Sequence, residues 1–461
     1  MAQQSIKKDL NNSIYDGVFA NMFATLTGGV FLTGFALFLG MNDFMIGLLA
    51  ALPFLVTVFQ LPTSYLIEKS GRRKDIARRA AAVARLLWIP IVILGVIRLV
   101  SRPTASLLVL GLILISYTFV TISYVSWLSW LSDLVPEGMR GRFFGTRNML
   151  CGAAGMVVMV LFGTLLDLFR GHGGKVLSLG FGMTFTAGVL FGMVSLHFLK
   201  RISEPKTHLA DIPRSFRTQL WRTLSEGNFR KFLIFALIWS FSVYFASPFF
   251  TLYFLRELRF GYGFVATLGM ISAFADLVGM RLWGRISDKV KNKAVVQLST
   301  WVAVFLPFAW VLVRPGDIVM PILLHLISGG FWAGINLCTN NLLLKISPQR
   351  SRSLYLSVYN IAGGIGAAAG PIVAGTILIA IGDLHLHLFS YQVLPLHVIF
   401  FTSTIFRMLS RLLLSSVREP EEVSAGQLVR ILRSVRGLNM ANGFNYLLHP
   451  FIEIARKGRN R

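Results

Sequence analysis

The sequence has 461 residues, of which 54% are hydrophobic and only 14% are charged. A single soluble core could not bury this much apolar surface, so the composition excludes an ordinary soluble protein and requires a bilayer. The formal net charge is +25 at pH 7, which would suggest a nucleic-acid partner only if the basic residues formed one patch.

Twelve apolar segments follow one another along the chain. Each has roughly 20 to 28 residues and can cross a hydrocarbon core of about 30 Å as a helix. The first segment is too long for a cleavable signal peptide, and no cleavage motif follows it. The sequence therefore predicts an all-α membrane protein with twelve transmembrane helices. Their centres lie near Leu26, Leu55, Ile91, Ser116, Val157, Gly188, Ser242, Ile271, Phe305, Ser328, Gly366 and Phe401.

The second half of the chain repeats the first at a constant interval. Each repeated residue lies at or inside an apolar segment, so we expect two parallel six-helix bundles. Parallel repeats of apolar segments are typical of secondary transporters. The residues displaced by 212 positions are Pro136, Arg140, Asn148, Gly163 and Thr164, which recur as Pro348, Arg352, Asn360, Gly375 and Thr376.

Loop lengths divide the chain into four predicted parts. An amino-terminal bundle occupies residues 1–200, a cytoplasmic linker 201–229, a carboxy-terminal bundle 230–417 and a basic tail 418–461. In the tail, Leu428, Ile431 and Val435 recur at helical intervals opposite Arg430 and Arg433. Such a helix would contact anionic lipid on the inner leaflet, or it would pack against the cytoplasmic loops.

The basic residues indicate how the chain is oriented. Most of the 45 Lys and Arg residues, including those from Lys69 to Arg79 and from Arg140 to Arg147, fall in segments that share one side of the membrane. By the positive-inside rule, both termini are expected in the cytoplasm and the protein in the plasma (inner) membrane. No nucleic-acid partner is therefore expected.

No motif in the sequence indicates an enzyme, a cofactor or a metal site. Cys151 and Cys338 both lie in apolar spans, where neither a disulfide framework nor a zinc site is expected. A nucleotide-binding P-loop pattern is also absent, which argues against an ATP-driven pump.

Two short loops carry a family resemblance. The loop after the eighth span contains Gly284, Asp288 and Lys289. Together with the loop after the second span, this loop resembles a loop motif of the major facilitator superfamily, which reads glycine, acid, base, glycine and two arginines. The resemblance covers about residues 10 to 417. Three residues of the first loop depart from the family pattern, and the second loop lacks the Gly-Arg-Arg. The first loop contains Ser64, Glu68, Lys69, Gly71, Arg72 and Arg73.

We expect these loops to form a gate at the cytoplasmic face. Small residues at Ser64 and Gly284 would let helices of the two halves approach closely. Glu68 and Asp133 can pair with arginines, and such pairs would break when the halves rock apart. The alternative is that these charges only set the membrane topology. The arginines in question are Arg72, Arg73 and Arg140.

The repeat makes the expected gate asymmetric. Arg352 matches Arg140, but the position that matches Asp133 is Lys345, so the charge there is reversed. Asp288 is then the local acid expected in the second half.

The family resemblance implies that spans one, four, seven and ten line a substrate cavity near the membrane midplane. In span ten, five residues project within about 80° of one another at 100° per residue. The alternative is that such polar residues only form hydrogen bonds between helices. The span-ten residues are His325, Ser328, Trp332, Asn336 and Thr339, and those of the other spans are Asn21, Thr25, Tyr117, Tyr124, Trp127 and Tyr244.

Charged residues inside the spans are functional candidates, because an ionised side chain in mid-bilayer costs on the order of 3 kcal/mol. Asp276 is our candidate for proton coupling, with a structural ion pair as the alternative. Asp16 is a second candidate, although it lies nearer the end of its span and could pair with an arginine instead. Arg85 and Arg281 also fall within spans.

The sequence predicts a secondary transporter or facilitator that moves a small solute by alternating access, with proton coupling as a hypothesis. An uncharged, aromatic and amide-rich cavity would favour a polar neutral or amphiphilic solute over a polyanion. The alternative is a protein of the same fold that assembles, senses or chaperones another membrane component. One chain carries both halves of the pathway, so a monomer is expected.

Overall fold

The computed structural model describes residues 2–97, 100–204, 216–382, 386–388 and 391–419. Residues 205–215 of the predicted linker and the predicted tail helix from Leu428 lie outside this part of the chain. A two-stranded antiparallel sheet, β1 (Leu386–Leu388) and β2 (Tyr391–Val393), pairs Leu386 with Val393. The described α-helices are α1 (Ala2–Leu26), α2 (Gly29–Leu39), α3 (Asp43–Leu55), α4 (Gln60–Ser70), α5 (Arg73–Leu86), α6 (Trp88–Val96), α7 (Arg102–Leu134), α8 (Arg140–Arg170), α9 (Gly174–Arg201), α10 (Phe216–Ser225), α11 (Gly227–Arg256), α12 (Tyr262–Val290), α13 (Asn292–Val311), α14 (Val319–Ile346), α15 (Arg352–Ile381) and α16 (Pro395–Ser415).

Within the described ranges, 12 segments are long and apolar enough to cross a bilayer. Spans 1, 2 and 3 combine α1 with α2, α3 with α4, and α5 with α6. Spans 4 to 6 are α7 to α9, and spans 7 to 12 are α11 to α16. The predicted all-α membrane fold of twelve transmembrane helices in two parallel six-helix repeats is confirmed.

Two of the composite spans bend where the sequence weakens the helix. Span 1 breaks at Gly29, whose φ of +51° lies in the left-handed region that glycine tolerates without a steric penalty. Span 2 passes through a short 3₁₀ turn at Val56–Phe59, just after Pro53. Proline lacks the N–H that an α-helix needs at this position, so the helix loosens there.

Aromatic side chains fill the core of each half. In the first half, Phe35 packs edge-on against Phe185, with ring centroids 5.0 Å apart, and Trp88 lies 5.2 Å from the same Phe185 ring. In the second half, Phe250 stacks on Phe400 at 4.5 Å. Large buried rings of this kind fix how the helices of one half pack together.

The two ends of the bundle differ in how the halves meet. We call the end where span 1 begins at Ile6 and span 12 ends at Ser415 the terminus side, and the opposite end the far side. The halves join mainly through span 2 with span 11 and span 5 with span 8.

Glycines let these helices touch near the far side. A Cβ at Gly47 would lie 2.3 Å from the Pro371 carbonyl oxygen, and one at Gly375 would lie 2.9 Å from the Phe44 Cα. A Cβ at Gly163 would lie 3.0 Å from the Tyr262 carbonyl oxygen. The halves are therefore in backbone contact at the far side.

On the terminus side, a glutamate follows the sixth span of each half and caps the start of the third span of the same half. Glu204 accepts a hydrogen bond from the Lys74 N–H at 3.0 Å, and Glu419 accepts one from the Lys293 N–H at 2.7 Å. Glu419 also accepts from the Lys345 Nζ at 3.0 Å. Burial by itself would raise the pKa of the Glu419 carboxyl, but the hydrogen bonds from Lys293, Lys345 and Asn292 outweigh it and lower that pKa.

Candidate functional site

The first half contains a cavity of about 530 Å³ among spans 1, 3, 4 and 5. Four predicted residues of the substrate cavity line it together. Thr25 is the predicted residue of span 1 that packs elsewhere: a Cβ at Gly155 would lie 3.0 Å from its Oγ1, so Thr25 contacts span 5. The predicted residues that line the cavity are Asn21, Tyr117, Tyr124 and Trp127.

Three charged residues also line this cavity, so the expectation of an uncharged cavity is wrong. They are Asp16, Arg85 and Arg147. Asp16 is buried and accepts a hydrogen bond from the Ser195 hydroxyl at 2.5 Å. The Arg85 Nη2 donates to the same hydroxyl oxygen at 2.9 Å, so span 6 joins these two charges through Ser195.

Arg147 comes from span 5 and lies over an aromatic ring. Its guanidinium carbon is 4.4 Å from the centroid of the Trp127 ring, a cation–π contact. Its Nε donates to the Ser13 carbonyl oxygen at 3.2 Å. From the sequence, Arg147 is expected in a cytoplasmic basic segment, whereas the structure places it inside the bundle.

The second half contains a cavity of about 390 Å³ among spans 7, 9, 10 and 12. The structure thus brings the polar row of span 10 to a cavity shared with span 7. Thr339, the last residue of the row, has a buried hydroxyl without a hydrogen-bond partner among the described residues. The predicted residues that line this cavity are Tyr244, His325, Ser328, Trp332 and Asn336.

Among the residues of the second cavity that sequence reasoning did not predict are Trp310 and Arg407. Trp310 packs edge-on against His325, with ring centroids 5.3 Å apart. The Arg407 Nη1 donates to the Ala303 carbonyl oxygen at 2.7 Å, which joins span 12 to span 9. Arg407 follows an apolar run, and only its position inside a span could have signalled it.

Tyr244 also contacts the other half. Its ring lies 4.5 Å from the ring of Phe54 on span 2, in an edge-on arrangement. The aromatic wall of the second cavity is therefore continuous with the boundary between the halves.

Asp276 lies on span 8, where that span packs against span 10. Its neighbours one turn away, Ser272 and Gly279, face Gly329 and Gly330 of span 10 at backbone contact distance. Within the part of the chain that the structure describes, no hydrogen bond or ion pair reaches the Asp276 carboxylate. The structural ion pair that we considered as an alternative is therefore not seen.

The predicted gate on the terminus side makes contacts within one half. Asp133 forms an ion pair with Arg73, and both belong to the first half. Arg140 donates to the Ser132 carbonyl oxygen at 2.9 Å, again within that half. These contacts join the starts of spans 3 and 5 to the end of span 4, and they do not connect the halves in this conformation.

The other predicted gate residues lie at the ends of spans 2, 8 and 11. Gly71 ends α4 with a φ of +64°, and a Cβ at Gly284 would meet Leu337 of the same half at 3.7 Å. The side chains of Glu68 and Lys289 lie outside the described part of the structure. The remaining predicted gate residues are Ser64, which is half-buried, and Lys69, Arg72, Asp288 and Arg352, which are exposed.

The far side carries charged contacts between the halves that sequence reasoning missed. Arg256 at the end of span 7 donates to Asp43 at the start of span 2, with its Nη1 2.7 Å from Oδ1. Asp167 of span 5 accepts from the N–H groups of Tyr262 at 2.7 Å and Gly263 at 2.8 Å. A carboxylate at a helix N-terminus is favoured by the helix dipole. We call Asp43, Arg256, Asp167 and Tyr262 the far-side clasp.

The chain matches a known family and known structures. A sequence profile described as Major Facilitator Superfamily matches residues 17–425. No curated protein sequence matches the chain. Among solved structures, the nucleoside transporter NupG has a TM-score of 0.67 at 12% identity, with 90% of this chain and 100% of that chain covered.

Two further solved structures resemble the chain to a similar degree. The xylose transporter XylE from E. coli, in an inward open conformation, has a TM-score of 0.65 at 15% identity and covers 92% of this chain and 99% of its own. A bacterial homologue of the human lysosomal transporter Spinster, inward-facing and occupied, has a TM-score of 0.63 at 15% identity with the same two coverages. At such identities the likeness concerns the fold alone.

Proposed function

Because the chain belongs to the major facilitator superfamily, we propose that it is a secondary transporter or facilitator that moves a small polar or amphiphilic solute by alternating access. The observation that carries this proposal is the asymmetry between the two ends of the bundle. Hydrogen bonds from Arg170, from Arg256 and to Asp167 join the halves at the far side, in or beside the far-side clasp.

The terminus side supports the same proposal. Leu61 and Tyr65 of span 2, Met149 of span 5 and Ile361 of span 11 are exposed, although these helices pack closely against the other half near the far side. Helices that touch at one end and separate at the other leave the region between them accessible from one side only. A second conformation, closed at the terminus side and open at the far side, would complete a transport cycle.

We propose that the terminus side is the cytoplasmic side of the plasma membrane. Most basic residues lie there, and the positive-inside rule assigns that side to the cytoplasm. The conformation described here would then be open to the cytoplasm. XylE and the Spinster homologue are described in inward open and inward-facing states, which is consistent with this orientation.

Asp276 is our proposed site of proton coupling. It lies within span 8, and the described residues give its carboxylate no cation to pair with. Protonation would remove the charge that makes a carboxylate costly inside a span, so binding and release of a proton at this residue could be coupled to movement of the solute. A monomer suffices for this mechanism, since one chain supplies both halves.

The test uses purified protein in liposomes, with solute flux measured for a panel of neutral and anionic compounds. In a background without Cys151 and Cys338, Asp43→Cys and Arg256→Cys would be joined across the far-side clasp by a bismaleimide. Locking the clasp should abolish flux, because the far side can no longer open.

The matched control joins Asp75→Cys to Arg78→Cys, an exposed ion pair within the first half, with the same reagent. This cross-link should leave flux unchanged. Undiminished flux through the locked protein would refute alternating access. A stable co-purifying protein, with no flux of any compound, would favour the alternative role in assembly or sensing.

A further inference from the structure

We propose that the cavity of the first half binds the anionic group of an amphiphilic solute, with Arg147 as the contacting group and Arg85 behind it. The inference rests on the proposed transport function and names its substrate class, a compound with one negative charge on an aromatic or apolar body.

The charges that line the cavity do not cancel. Arg85 and Arg147 contribute two positive charges and Asp16 contributes one negative charge, and both arginines lie within electrostatic range of that carboxylate. An uncompensated charge within a membrane-spanning bundle is costly, so the excess positive charge favours the binding of an anion. One anionic group would neutralise the excess, whereas a polyanion would reverse it.

Both guanidinium groups also have unused donors. Arg85 is 6% exposed, and its Nη1 is buried without a hydrogen-bond partner among the described residues. Of the described residues, only Ser13 accepts a hydrogen bond from Arg147, through Nε. The planar fork of a guanidinium matches the oxygens of a carboxylate or phosphate, so these donors suit such a group.

The rest of the cavity suits an apolar body. Trp127 lies under Arg147, and Tyr124 stacks beside Trp127 with ring centroids 6.1 Å apart. Phe23, Trp88 and Tyr117 belong to the same aromatic lining. A volume of about 530 Å³ is in the range of sites that hold small organic molecules.

Arg147 can be reached from the terminus side. It lies seven residues into span 5, about 10 Å from the start of the helix at 1.5 Å per residue. Tyr124 and Asn148 at the rim are exposed, and no atom lies within 4 Å of a Cβ built at Gly145 or Gly152. The contacting arginine is thus open to the same side as the rest of the pathway.

The experiment measures equilibrium binding by dialysis to the full-length protein in nanodiscs of phosphatidylcholine. The probes are 1-naphthoate, 1-naphthyl phosphate and neutral 1-naphthamide, which share one ring system. At least one anion should bind tenfold or more tightly than the amide. Arg147→Gln should remove that preference, and Arg147→Lys should keep part of it because the charge remains.

Arg411→Gln is the matched control, since Arg411 stacks on Trp301 at 4.0 Å in the second half and lines neither cavity. It should leave the preference unchanged. Equal binding of anion and amide, or an anion preference that survives in Arg147→Gln and disappears in Arg407→Gln, would overturn the assignment to the first cavity.

A second set of nanodiscs with added phosphatidylglycerol identifies the source of the anion. If phosphatidylglycerol lowers binding of the anionic probe to the wild type but not to Arg147→Gln, the site is supported and its occupant is a lipid headgroup. Absence of competition supports the site with a free solute. Binding is measured without flux, so the two proposals can fail separately. A protein that binds the anion but transports no compound would refute the proposed function and leave the site standing. A protein that transports a compound but shows no anion preference would refute only the site.

Discussion

Arg256 binds Asp43 across the boundary between the two halves, with Nη1 2.7 Å from Oδ1 and Nη2 3.4 Å from Oδ2. The two residues are 213 positions apart in the chain, at the end of span 7 and the start of span 2. A two-point contact of this geometry holds both helices at one distance, so it stabilises the closed far side.

Removing this ion pair should favour opening of the far side. Both side chains are partly exposed, so Asp43→Asn should shift the equilibrium by about 0.2–1 kcal/mol, a change of up to roughly fivefold in the population ratio. A cysteine at Ser247 in the second cavity, in a background without native cysteines, reports the change through its rate of labelling by an impermeant maleimide from the far side. Asp75→Asn, which breaks a pair within one half, should leave the rate unchanged, and an unaltered rate in Asp43→Asn would contradict the role of the clasp.

Adding a methyl group where spans 2 and 11 touch should also oppose closure. In Gly47→Ala the new Cβ would lie 2.3 Å from the Pro371 carbonyl oxygen, and backbone cannot move aside as a flexible side chain can. Overpacking of this kind costs about 1–3 kcal/mol, so labelling at the Ser247 position from the far side should rise by at least fivefold. Gly111→Ala is the control, because no atom lies within 4 Å of its Cβ. Equal labelling of the two variants would show that the far side does not close as tightly as described.

Proton coupling through Asp276 can be separated from transport itself. Asp276→Asn should abolish accumulation driven by a pH gradient, since the amide cannot carry the proton, while exchange without a gradient persists. Asp75→Asn, which removes an exposed carboxylate that lines neither cavity, is the matched control and should retain both activities. Accumulation that still follows the pH gradient in Asp276→Asn would exclude this residue as the coupling site.

The cap formed by Glu419 should contribute to stability in a pH-dependent way. Its carboxylate receives hydrogen bonds from the Lys293 N–H and the Lys345 Nζ, and hydrogen bonds to charged groups contribute about 1.5–3 kcal/mol each. Glu419→Gln should therefore lower the apparent melting temperature by about 2–6 °C at pH 7. Glu204→Gln, which removes the more exposed cap of the first half, should have a smaller effect.

The sign of the pH effect follows from the lowered pKa of Glu419. A carboxylate whose pKa is lower in the folded protein stabilises it above the unfolded value of about 4.3, and that contribution is lost as the pH falls through the folded value. The difference between wild type and Glu419→Gln should therefore shrink below about pH 4. A difference that grows in acid would show that the carboxylate is not stabilised in its charged form.

The fold could be predicted from the sequence because it depends on features that are local along the chain. Apolar length identifies a span without knowledge of its neighbours, and the displacement of Gly163 to Gly375 shows the repeat directly. The polar row of span 10 was equally accessible, since helical periodicity alone puts His325 and Asn336 on one face. These signals need no tertiary information.

The charged parts of the site depend on contacts that no local pattern encodes. Arg147 looks like a loop residue because it is close to other basic residues, and only its contact with Trp127 of span 4 reveals that it lies inside the bundle. The Asp43–Arg256 pair joins residues separated by nearly half the chain. The predicted pairing of Asp133 with an arginine is seen with Arg73, but both residues belong to the first half, and no local pattern shows whether such a pair joins the halves.

The glycine contacts between the halves are reciprocal. Gly163 of span 5 touches Tyr262 at the start of span 8, and Gly375 of span 11, its repeat counterpart, touches Phe44 at the start of span 2. Each half therefore offers the other the same pair of surfaces, which is the definition of an isologous interface. A half-length ancestor with these two surfaces could already have assembled as a symmetric homodimer, and fusion of its duplicated gene would have needed only a connecting segment.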